Sequence, residues 1–170
     1  MDPIETLRAA LTARGEALVP ADLAAVETTE RRLARTLPPA LRRLYLELAD
    51  GTAGTGGGQA LLALDELGLP AGLDPALEVV ALEGTRRLRA RTLVAVTEED
   101  ADGGQWCLLP DDRVAYFLPL AAEPGLHLPL PDVAEFLRIL AATGGGEVVV
   151  AMGGVERLGL SPRETRAPGR

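Results

Sequence analysis

A chain of 170 residues with 47% apolar side chains is long enough to bury one core without disulfides or a structural metal. Its net charge of −8, with 25 acids against 17 basic residues that are all arginine, argues against nucleic acid and anionic lipid as partners. A single cysteine excludes an intramolecular disulfide, and no run approaches the ~20 apolar residues of a membrane-spanning helix.

Asp2 and Pro3 open a first helix that carries Ile4, Leu7, Ala10 and Leu11 on one face and stops at Gly15. Pro20 and Asp22 open a second, in which Leu23, Val26, Glu30, Leu33 and Leu37 recur at helical spacing, so four apolar side chains are expected on one stripe. Leu37-Pro38-Pro39 breaks it. Leu41, Leu44, Tyr45 and Leu48 then repeat at i, i+3, i+4 and i+7, with Asp50-Gly51 as the stop and Gly51 as its left-handed cap. The stretch from Gly51 to Gly58 holds five glycines and reads as a flexible link. Leu61 to Leu64 follows as a short buried strand.

Leu69 to Pro75 is a connector, and Leu77 to Leu82 fits either a strand or a short helix. From Arg87 to Thr92 arginines alternate with apolar or small residues, the pattern of an edge strand with one charged face, running into Leu93 to Val96. Asp102-Gly103 supplies a tight hairpin turn into Gln105 to Leu109, and Pro110-Asp111-Asp112 turns the chain back as Val114 to Leu118. His127 falls in a loop from Pro124 to Pro129. A closing helix spans about Asp132 to Ala142, Glu147 to Met152 reads as an extra strand, and the Gly-, Pro- and Arg-rich end from Gly153 is expected to be mobile.

Several of these parts, in this order, resemble the SUKH superfamily of Smi- and Knr-like domains. The residues that carry the likeness are Glu30, Leu37-Pro38, Leu44-Tyr45 and Asp50-Gly51, then Asp102 to Leu108 with Trp106, then Val114 to Phe117 with Tyr116, and the helix containing Phe136. Asp50 stands where the family usually has Asn, a change that keeps a turn-forming side chain. The resemblance covers roughly residues 20 to 142 and implies an α+β fold, with N-terminal helices on a mainly antiparallel sheet of about five strands and a closing C-terminal helix. Residues 1 to 146 would form that one domain. The resemblance also implies a non-enzymatic protein-binding role, either as a bacterial immunity protein that neutralises a toxin or as a regulatory or scaffolding domain.

Catalytic chemistry finds few residues to use. The only serine is Ser161, in the expected tail, and the only histidine is His127, with no second histidine or nearby cysteine to build a metal site. Cys107 beside Trp106 reads as a packed strand residue, and no motif supports a dyad with His127. The glycine loop is followed by Gln59-Ala60 rather than Lys and Ser or Thr, and it follows a helix rather than a strand, so it is no phosphate cradle. No cofactor or metal is expected.

The charge excess lies in the middle. Residues 1 to 50 balance to −1, residues 51 to 143 to −8 and residues 144 to 170 to +1, so a basic partner would be steered toward the middle segment. Glu98, Glu99, Asp100 and Asp102 are its dense run, and Asp111 and Asp112 add to it at another turn, at the same end of the sheet or at a different one. One reading makes the run an exposed turn. The other makes all six residues the contact patch for a basic, nuclease-type toxin. Arg86, Arg87, Arg89 and Arg91 lack the interleaved aromatics of a single-strand nucleic-acid site and are expected to pair with nearby acids. The opening Met1-Asp2-Pro3 has neither the basic region nor the apolar run of a secretory signal, so cytoplasmic residence is the expectation.

Overall fold

A computed structural model describes residues 2–54, 59–76, 78–81, 87–101, 103–118 and 125–143. The glycines at 56–58, Arg86, Asp102, and the expected strand and tail beyond Gly146 lie outside these residues. The architecture is α+β, with N-terminal helices, a sheet and a closing C-terminal helix.

Asp2 caps α1 (Pro3–Ala13), its carboxylate accepting from the Ile4 amide at 2.9 Å, and Ile4, Leu7 and Leu11 form the buried face. Asp22 caps α2 (Leu23–Leu33) in the same way, accepting from Ala25 N at 2.7 Å. This helix is shorter than its apolar stripe suggests. Ala34 turns left-handed at φ 51 and ends it, and Leu23 remains 51% exposed. Leu37 still reaches the core because Glu30 accepts its amide at 2.9 Å, fixing the corner that Pro38 and Pro39 begin. Arg42 lies 3.8 Å from the same carboxylate.

The third helical segment is α3 (Pro39–Arg43), which passes into a π turn over Leu44–Leu48. The wider turn brings Leu44, Tyr45 and Leu48 together into the core. Gly51 is not the cap of this helix, because extended Ala49 already ends it. At φ +84, Gly51 instead folds the chain onto Ala63, where a Cβ would lie 3.1 Å from the Ala63 amide nitrogen.

The strands are β1 (Glu78–Ala81), β2 (Arg87–Arg89), β3 (Val94–Ala95), β4 (Gln105–Leu108), β5 (Val114–Leu118) and β6 (Gly125–Leu130). They form one six-stranded sheet in the order β2-β1-β6-β5-β4-β3. Every pairing is antiparallel except β1 with β6. Three local expectations are corrected. Leu61 makes only an isolated bridge to Thr97, because the chain turns at Leu64 to Glu66 instead of extending. The arginine-rich strand ends at Arg89, since Ala90–Thr92 winds into a 3-10 turn before β3. His127 is not in a loop: Gly125–Leu130 is a strand paired on both sides, by β1 and β5, despite its flanking prolines.

Four helices, α1 to α4 (Val133–Thr143), contribute to the core on one sheet face, where Trp106, Leu108, Val114 and Tyr116 point. Tyr116 meets the Trp106 ring edge-on at 5.4 Å, and Phe136 of α4 lies 5.5 Å from it on another side. The second face is buried too. Cys107, Ala115, Phe117 and Leu126 pack beneath Leu73, Leu88, Ala90 and Leu93, so the connector and the turn after β2 form a second layer. Among the described residues no helix is long and apolar enough to cross a membrane.

Candidate functional site

Two acidic turns lie at opposite ends of β4. The turn before it is built by Asp100, whose carboxylate accepts from Gly104 N at 2.9 Å and from the Tyr116 hydroxyl, while its own amide donates to Gly104 O at 2.9 Å. Asp100 therefore holds the hairpin together. Glu98 and Glu99 project into solvent beside it. The turn after β4 carries Asp111 and Asp112, and both are engaged within the fold. Asp111 pairs with Arg113 at 3.1 Å. Asp112 adopts φ 65 and accepts at 2.7 Å from Arg35, which also donates to Leu109 O and so ties the end of α2 to this turn. Of the six acids, Glu98, Glu99 and Asp100 lie at one end of β4 and Asp111 and Asp112 at the other, while Asp102 lies outside the described residues; Asp100, Asp111 and Asp112 each also bond within the fold.

The structure gathers a different acidic set. An open groove of about 500 Å³ lies where the α1–α2 connection, the Asp50–Ala53 segment, the loop around Ala63 and Glu98 converge. Glu16, Asp50, Glu66 and Glu98 line it, and among the described residues no arginine does. Small residues, Ala17, Ala53 and Ala63, make up much of its wall, and Val19 stands in it 68% exposed. Leu23, four residues on, is the neighbouring exposed apolar side chain in sequence.

Hydrogen bonds fix this groove. Glu16 accepts from Ala53 N at 2.9 Å, Asp50 from Leu64 N at 2.8 Å and Glu66 from Ala63 N at 3.0 Å. Asp50 N donates to Val19 O at 2.8 Å, and Glu98 N to Ala60 O at 2.9 Å. Asp50 and Glu66 each keep lone pairs beyond the bond that positions them and Glu98 is exposed, so these three can face a cation without losing the scaffold, whereas Glu16 is buried at the groove's edge. Asp50-Gly51, singled out as a turn motif, is therefore part of the groove floor.

The remaining motif residues are structural. Leu37, Pro38, Tyr45, Trp106, Tyr116 and Phe136 are buried, and the Tyr45 hydroxyl donates to Leu62 O at 2.9 Å. Cys107 has no exposed surface, and burial pushes its thiol up, well above the ordinary cysteine range, so it stays protonated at neutral pH. It lies in β4, and His127 in β6, with β5 between them. Among the described residues no cluster of His, Cys, Asp or Glu has the arrangement of a metal site.

Sequence reasoning missed Glu16 and Glu66 because neither sits in an acidic run. Four carboxylates about 16 to 34 positions apart carry no local signal, and only the fold brings them to one place. No protein-family model matches the chain, and no curated protein matches it.

Proposed function

We propose that this chain is a non-enzymatic, SUKH-like protein-binding domain that neutralises a basic, nuclease-type toxin by stoichiometric binding inside the cell. The observation that carries this reading is the groove lined by Glu16, Asp50, Glu66 and Glu98, of which Glu66 and Glu98 belong to the middle segment that holds the charge excess. Complementary charge of this kind speeds encounter and selects basic partners, while contact energy comes from apolar groups that lose water. Val19, exposed in the groove, is the side chain placed to supply it. Glu99 extends the acidic rim from its exposed position next to Glu98.

The test is capture of tagged protein from its producing cells at low and moderate salt, wild type beside a Glu66→Gln/Glu98→Gln variant. Glutamine keeps an oxygen acceptor for Ala63 N, so the variant removes charge and leaves the loop intact. An exposed ion pair contributes about 0.2–1 kcal/mol, so losing two weakens binding roughly 2- to 30-fold at low salt. A single basic partner, held in stoichiometric amount by the wild type and depleted by the variant, is the expected result. Equal recovery of the same proteins by both would overturn the groove's role, and a housekeeping assembly as the partner would replace immunity with a regulatory function.

A further inference from the structure

We draw no further inference here: the strongest candidate, the exposed arginine face formed by Arg87 and Arg89 on the sheet-edge strand β2 with Arg91 in the turn after it, carries nothing because nothing in the structure shows what covers that edge.

Discussion

Gly104 is a glycine because Tyr116 occupies the space a side chain would need. A methyl group there would lie 2.8 Å from Tyr116 Cε1 and closer still to Cζ and the hydroxyl oxygen. The ring has no free direction in which to retreat, since it is fully buried and meets Trp106 at 5.4 Å. Gly104→Ala therefore forces an overpacked core, which costs about 1–3 kcal/mol. Moving the ring also breaks the Tyr116 bond to the Asp100 carboxylate, and hydrogen bonds to charged groups contribute about 1.5–3 kcal/mol. The expected loss is about 2.5–6 kcal/mol. Urea unfolding followed by the fluorescence of Trp106, the one tryptophan, measures it. With a slope of about 2 kcal/mol per molar, the midpoint should fall by about 1.2–3 M. Tyr116→Phe alone should cost only the hydroxyl bond. Combined with Gly104→Ala it should still be overpacked, because Cζ and Cε1 remain in the way. A Gly104→Ala protein within about 0.5 kcal/mol of wild type would refute this reasoning.

Alkaline pH should weaken the fold through two buried acids. Burial raises both the Tyr45 hydroxyl and the Cys107 thiol, with nearby Asp50 and Glu66 adding to the rise at Tyr45. The folded state keeps these protons while the unfolded chain releases them, so stability is full below the ordinary values and falls as pH passes about 8.5 for cysteine and about 10 for tyrosine. Thermal unfolding from about pH 8 to about pH 11 should show a declining midpoint, with a shallower limb above about pH 10 in Tyr45→Phe and a shallower one above about pH 8.5 in Cys107→Ala; unchanged slopes would remove these groups from the explanation. At acid pH, the Arg43 guanidinium holds Glu47 and Asp2 below the usual carboxylate range, and the Ile4 amide also lowers Asp2. That contribution is present above the ordinary carboxylate values and is lost as pH falls through the lowered ones. Arg43→Gln should accordingly reduce the melting temperature slightly at neutral pH and converge with wild type in strong acid. A gap of constant size across that range would contradict the assignment.

Much of the helical half was legible because it rests on local signals: Asp2 and Asp22 as caps, Pro38-Pro39 as a break, and apolar residues at helical spacing. The hairpin from Gln105 to Leu118 was legible for the same reason, since Pro110 to Asp112 marks the turn between β4 and β5. The departures have tertiary causes. Leu23 continues the helical stripe yet faces solvent, because the helix axis aims Val26 and Thr29 inward. Gly125–Leu130 lacked a strand signal because Pro129 and its flanking prolines suggest a loop, whereas pairing with β5 extends it regardless. Asp100 and Asp112 looked like free surface charge, and only distant partners, Tyr116 and Arg35, convert them into structural groups. Glu16 and Glu66 gave no sign at all, since their shared groove depends on contacts between segments far apart in sequence.

The groove's selectivity for a cationic partner is tested most directly by a nitrogen-15 amide-shift titration of the whole chain with a short arginine-rich peptide at low salt. The account predicts the largest shifts at Thr52, Ala53, Ala63, Glu66 and Glu98, and their loss in the Glu66→Gln/Glu98→Gln variant. Shifts of equal size around Asp111 and Asp112, or shifts that persist in the variant, would contradict it.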